Sequence, residues 1–245
     1  MIESCSYRGM REQDPSTANV RYQLLLSDNS TLYRKFSRRQ GVDVRKQPQY
    51  NINDWLDPNS PDFKPEIRDA IFHYSARREA GEWFQVCIST TDMDETVWAY
   101  GHNSQLVLDG TFGVCSSRLL LFISLARDEN GKGVPLAFFL FSAPTGNRAT
   151  HAGYNTAILQ ELLSHWKLHL SKNSETPFIP FIAITDTDTK ERAALLNIRP
   201  DICLIICKFH LRQCWSNYRK SALRCGGSDF WKDQIRNTLG GLEVQ

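Results

Sequence analysis

Apolar residues keep no sustained period over roughly the first 60 positions of this chain, then settle into clear strand and helix patterns from residue 82 onward. In the early stretch, positions 22–36 read as a strand or short hairpin. Asp28-Asn29-Ser30 is a turn signal there, between Leu24-Leu25-Leu26 and Leu32-Tyr33. Asp57-Pro58-Asn59-Ser60-Pro61 is a loop. A helix is expected from 65 to about 79, where Ile67, Ala70, Ile71 and Tyr74 keep helical spacing. Residues 83–89 form a short strand or an extended entry. Thr91 is placed to cap a helix over 92–100, with Asp94 at the capping-box position and Gly101 at the C-cap.

Three strands follow, at about 105–114, 118–127 and 134–142. The last two are joined by Asp128-Glu129-Asn130-Gly131-Lys132-Gly133, a strong hairpin signal. Next come a helix over about 150–170, a strand at 178–185, a short helix at 189–197, a strand at 202–207 and a helix from Leu211. Strands joined by short turns pair antiparallel, and strands separated by helices pair as parallel crossovers. The expected fold is therefore α/β: a mixed five-stranded sheet flanked by helices, with strand 105–114 near the middle beside strand 178–185. On this pattern residues 1–81 are an N-terminal extension, 82–225 the main domain and 226–245 a tail.

The 245 residues include 41% hydrophobic side chains, enough for a real core, and 23% charged ones. The net charge of +2 does not announce a nucleic-acid partner. Its distribution is more informative. Lys208, Arg212, Arg219, Lys220 and Arg224 cluster near the C-terminus, and Arg34-Lys35-Phe36-Ser37-Arg38-Arg39 forms a second run. Each can meet phosphates or be a solvated surface. Seven cysteines make an odd count with no regular framework, the chain opens without a secretory signal, and no segment is apolar enough to span a membrane. A soluble, intracellular protein with reduced thiols is expected.

Asp109 stands inside Leu106-Val107-Leu108-Asp109-Gly110-Thr111-Phe112, otherwise a buried strand. A carboxylate there costs several kcal/mol unless it is paired, protonated or metal-bound. A second carboxylate ends the apolar run 178–185, in Ile184-Thr185-Asp186. If the two strands are neighbours, Asp109 and Asp186 approach each other, and a divalent cation between them relieves their repulsion. Asp188 has a simpler task, because Asp188-Thr189-Lys190-Glu191 has capping-box spacing. Asp186 is thus the expected metal ligand and Asp188 the helix cap.

Leu108-Asp109-Gly110-Thr111-Phe112, Gly133-Val134-Pro135-Leu136-Ala137-Phe138, Ile184-Thr185-Asp186 and Cys207-Lys208-Phe209-His210 together resemble the core of a Mutator-like element (MULE) transposase, over about residues 83–222. The resemblance implies an RNase H-like fold and a DDE-type site that uses Mg2+ or Mn2+ ions to cleave and transfer DNA strands at transposon ends. It makes Asp109 and Asp186 the first two acidic ligands and implies a nuclear protein working on DNA, with a second copy or an intact transposase as further partner. The family's third carboxylate is a glutamate on a helix beyond the C-x-x-H element. After His210 the chain offers only Asp229, Asp233 and Glu243, none in a matching context. The chain is therefore expected to resemble a truncated transposase with impaired strand transfer.

Cys207 and His210 match the family's C-x-x-H element. With Cys203 and Cys214 nearby, a four-ligand zinc site is one reading. A small thiol and a hydrogen-bonded histidine pinning the strand-helix junction is the other. His165 and His169 have the i, i+4 spacing of a metal clip but lack the acidic partner of H-E-x-x-H, so they read as an exposed helix face. His151 reads as a surface residue at a helix start and Tyr154 as core. Gly110 and Gly113 suit close packing or a bulge beside Asp109. Three functions remain open: a transposase-like enzyme, a catalytically inactive module that binds DNA or a partner transposase, and an RNase H-like nuclease acting on another substrate such as RNA.

Overall fold

The computed structural model describes residues 26–77, 79, 81–112, 119–142, 153–172, 174–222, 233–234 and 237–238. Arg224, His151, Gly113 and two of the three late acidic candidates, Asp229 and Glu243, lie outside these residues. The chain divides into two compact units, Met1–Pro65 and Glu66–Gln245.

Among the described residues, the first unit holds the helices α1 (Leu26–Arg39) and α2 (Pro48–Leu56). The hairpin expected over 22–36 is not formed: from Leu26 on, this stretch is helix. Asp28, Asn29 and Ser30 fall in its opening turns. Leu32, Tyr33 and Phe36 are spaced as a helical stripe rather than a strand alternation, and Arg38 and Arg39 complement the dipole in the last turn. Gly41, at φ +69°, ends α1 in the left-handed region. The N–H of Val42 returns to the carbonyl of Ser37, and that of Gly41 to Arg38. Asn51 then clamps the connection to α2, donating to the Asp43 carbonyl at 3.0 Å and accepting the Asp43 N–H at 2.8 Å.

In the second unit, α3 (Pro65–Ala70) leads into β1 (Ile71–Ser75), followed by β2 (Phe84–Ile88), α4 (Thr91–Thr96) and a π-helical turn over Val97–Gly101. The remaining elements are β3 (Gln105–Phe112), β4 (Leu120–Arg127), β5 (Gly133–Ser142), α5 (Thr156–Lys172), β6 (Ile182–Thr185), α6 (Thr189–Ile198), β7 (Cys203–Ile206) and α7 (Lys208–Ala222). The helix expected to reach about 79 stops at Ala70. Ile71, Phe72 and Tyr74 suit a pleated strand, and β1 finds an antiparallel partner in β2. Helix α4 is capped by Thr90, not Thr91, through the Met93 N–H. Gly101 serves close packing rather than a left-handed cap, since a Cβ there would lie 3.2 Å from Leu136 and 3.3 Å from the Phe178 ring.

The sheet is mixed, with seven strands in the order β1-β2-β5-β4-β3-β6-β7, not five. All five expected strands are present. β3, β4 and β5 form an antiparallel block, and β6 and β7 add in parallel beside β3. β1 and β2 extend the far edge through β5. The core lies on one face of the sheet, where Leu106, Leu108, Phe122, Phe139 and Phe141 meet Ile158, Leu159 and Leu162 of α5. Each such side chain contributes roughly 1.5–3 kcal/mol by leaving water. No helix of the described residues is long and apolar enough to cross a membrane.

Candidate functional site

β3 and β6 run parallel, with Gln105 opposite Ile182, Leu106 opposite Ala183 and Val107 opposite Ile184. Continued two residues past its last pair, that register would set Asp109 level with Asp186, which lies just beyond the end of β6. Successive side chains alternate across a strand. Leu106 and Leu108 point into the core. Asp109 points the other way, and its side chain is 40% exposed. The burial penalty expected at Asp109 is therefore much reduced, because its apolar neighbours Leu106 and Leu108 occupy the opposite face. Asp186, just past the end of β6, is 9% exposed. It accepts the N–H of Asp188 through Oδ1, which fixes the turn from β6 into α6.

The fully buried carboxyl of this region belongs to Glu191. It sits on α6 and shares a helical face with the buried Ala194 and Leu195. Burial raises its carboxyl to about 9, reinforced by the charges of Asp186, Asp188 and Asp109. Glu191 Oε1 lies 3.5 Å from the Tyr154 hydroxyl, which also bonds Asp188, and stands on the core face with Gly110 rather than on the face of Asp109. Its Oε2 has no hydrogen-bond donor. Protonation turns Glu191 into a donor, with the Asp186 carboxylate as acceptor. Gly110 makes room for it: a Cβ at Gly110 would stand 3.4 Å from Glu191 Oε1 and 2.9 Å from the Phe122 ring.

Asp188 caps α6 as expected, accepting the Lys190 N–H at 2.9 Å. The capping box does not close, because the Asp188 N–H is taken by Asp186 and Glu191 turns inward. Asp188 also accepts the Tyr154 hydroxyl at 2.6 Å. Burial and that hydrogen bond push the Tyr154 phenol up. Tyr154 packs edge-on against Phe122 and Phe141, so it is core, as expected, with its polar end joined to the acidic cluster. Lys190 stands 4.3 Å above its ring and 3.7 Å from Asp188.

His210, on the first turn of α7, brings that helix to the same place. Its Nε2 lies 3.7 Å from Asp109 Oδ1, close enough for an ion pair when the ring is charged and too long for a hydrogen bond. Its Nδ1 is buried without a partner. Asp186, Asp188, His210, Gln213 and Asn217 line an open cleft of about 410 Å3. Cys207 carries β7 into α7 through its N–H to the Thr185 carbonyl. The four-ligand zinc arrangement is not assembled. Cys203 and Cys214 are exposed free thiols, and the Cys214 sulfur lies 3.4 Å from the Thr187 hydroxyl. Among the described residues, only His73, Glu161 and His165 bring three His, Cys, Asp or Glu ligand atoms within 4.8 Å of one another. His169 does not pair with His165; its ring bonds Asp94 at 2.8 Å and stacks on Phe72.

Lys208, Arg212 and Lys220 are exposed along α7, and the backbone of Arg219 is part of the same helix. Sequence reasoning missed Glu191, having assigned it to the cap. Its signal was the i+3, i+4 relation to Ala194 and Leu195, which sets it on the core face of a short helix. Comparison with family models, with curated proteins and with solved structures gave no match to the chain.

Proposed function

We propose that this protein is a DDE-type, transposase-like enzyme of the Mutator-like kind, cutting DNA phosphodiester bonds with a divalent metal ion bound by Asp109 and Asp186. The single observation that carries this reading is the parallel pairing of β3 with β6, which brings Asp109 on β3 and Asp186 at the end of β6 to the same end of adjacent strands. The strand order β5-β4-β3-β6-β7, three antiparallel strands then two parallel ones, supports an RNase H-like arrangement for this part of the sheet.

The donor set fits Mg2+ or Mn2+. Asp109 and Asp186 supply hard oxygens, the Glu191 Oε2 lacks a donor, and burial, reinforced by the charges of Asp186, Asp188 and Asp109, raises the Glu191 carboxyl to about 9. Magnesium is commonly held by one or two carboxylates, with phosphate and water oxygens completing its shell. That accords with an acidic set that does not by itself close a tight three-ligand group. When bound, such an ion activates water or a 3′-hydroxyl and stabilises the leaving oxygen. The chain's own residues do the rest. Asp188 and Tyr154 hold the β6–α6 turn, His210 approaches Asp109, and α7, whose Gln213 and Asn217 line the cleft, carries exposed cations that offer phosphate contacts.

Glu191 stands on α6, not on a helix beyond the C-x-x-H element, and it is fully buried. On this reading strand transfer is weak and simple metal-dependent nicking is the activity to seek. The test is nicking of duplex DNA with Mg2+ or Mn2+ by the full chain and by Asp109→Asn and Asp186→Asn. Nicking that needs metal and vanishes in both variants supports the proposal. An RNA–DNA hybrid that outcompetes duplex DNA reassigns the substrate to RNA. The exposed basic α7 favours a second reading, a non-catalytic DNA-binding remnant. Salt-sensitive, metal-independent binding without any nicking selects it, and no binding at low salt overturns both.

A further inference from the structure

At the other end of the strand order from β7, the first strand carries a cluster that the acidic site does not use. We propose that His73, Glu161 and His165 form a binding site for a zinc-class divalent transition-metal ion. One ring nitrogen from each histidine and one carboxylate oxygen lie within 4.8 Å of one another. Glu161 and His165 are four residues apart on α5 and so share one helix face. His73 comes from β1, and its ring stacks on that of His165 with centroids 3.6 Å apart and planes at 13°. Two imidazolium cations would repel in that stack, so at least one ring is neutral, the form that binds metal. Burial and the neighbouring His165 hold His73 below the ordinary histidine range.

Gln85 on β2 organises the group before any ion arrives. It is 5% exposed. Its amide N–H donates to Glu161 Oε1 at 3.1 Å, which aims its carbonyl oxygen at His73 Nε2, 2.9 Å away. Neutral His73 then carries its proton on Nε2 and keeps a lone pair on the other nitrogen. A hydrogen-bonding partner behind a ligand histidine is the usual support of a metal centre. Two imidazoles and one carboxylate are a borderline donor set, suited to zinc and poor for magnesium. Glu161 and His165 are half-exposed, with side-chain exposures of 50% and 34%, so an ion can enter and keep a fourth position for water. Tetrahedral zinc needs its ligand atoms about 3.3 Å apart, so they draw in by roughly 1 Å and the two rings turn out of their stack.

The test is a zinc titration of the full chain against a chromophoric chelator. One zinc is expected to bind at about micromolar strength or tighter. Glu161→Gln, an isosteric change at an exposed position, and His165→Ala should each weaken it at least about tenfold, with circular dichroism showing that both variants fold. Asp186→Asn and Cys207→Ser should leave it unchanged. Cobalt bound in place of zinc should show no thiolate charge-transfer band. Zinc that survives both cluster variants, zinc lost with Asp186 or Cys207, or no zinc bound at micromolar concentration overturns the site.

Discussion

Two residues beside Asp109 hold the acidic site in place, and each does so at a cost that can be measured. Glu191 has an ordinary carboxyl value of 4.5, and the folded protein raises it to about 9. Between those values the unfolded chain has released a proton that the folded chain keeps, so rising pH favours unfolding. The penalty is absent below about 4.5, grows through neutrality and levels off above about 9. Glu191→Gln removes it. Thermal unfolding should show parent and variant alike near the acid end of this window, and the variant more stable by at least about 1 kcal/mol at mildly alkaline pH. If Mg2+ binds at Asp109 and Asp186 as proposed, it should shrink the difference, because it offsets the charges that add to burial in raising Glu191. A difference that does not change with pH would reject this account. Gly110 is the steric counterpart. A methyl group at Gly110 meets the fully buried Phe122 ring at 2.9 Å, so Gly110→Ala should cost about 1–3 kcal/mol in denaturant unfolding. The sequence made Asp109 visible as a charge among apolar residues, yet strand alternation had already turned it outward. The costly carboxyl was hidden at Glu191, where four residues of capping-box spacing looked like a complete explanation.

Among the elements, α6 shows how a helix start divides labour between two aspartates. Asp186 closes the turn and faces the cleft, while Asp188 caps the helix and takes the Tyr154 hydroxyl. Asp188→Ala removes the cap and the 2.6 Å bond from the Tyr154 hydroxyl, an expected loss of about 1–3 kcal/mol. Asp188→Asn keeps a capping oxygen and should lose less. Neither should abolish Mn2+ binding, whereas Asp186→Asn should; calorimetry on the three variants separates the roles, and loss of Mn2+ binding in Asp188→Asn would contradict the division. The five strands β3 to β7 and the β3–β6 neighbourhood were legible because long apolar runs, a hairpin loop and intervening helices constrain pairing strongly. Two elements were not. Residues 71–75 are short, and their apolar positions fit either period until β2 supplies a partner. In α1 a run of Asp, Asn and Ser suits a helix start as well as a turn, and only the chain beyond it decides.

For the whole molecule, the net charge of +2 is too small to give a general attraction to DNA. Affinity must come from local groups of exposed cations. Two helices carry such groups. Arg34, Lys35, Arg38 and Arg39 are exposed on α1 in the first unit, and Lys208 and Lys220 are exposed on α7 in the second. Each lysine that neutralises a phosphate releases about one counterion, so affinity falls with salt in proportion to the number of contacts. The joint variant Lys208→Ala, Lys220→Ala should weaken duplex binding across sequences alike and lower the slope of log affinity against log salt by about two. Metal raises a second, separable effect. If a divalent ion binds at Asp109 and Asp186 as proposed, it cancels local repulsion of phosphate, and Mg2+ should tighten binding in the parent and do so much less in Asp186→Asn. Fluorescence anisotropy across a salt series, with and without Mg2+, measures both. A salt slope unmoved by the lysine changes would take α7 out of the interface, and equal tightening by Mg2+ in parent and Asp186→Asn would take the acidic cleft out of it.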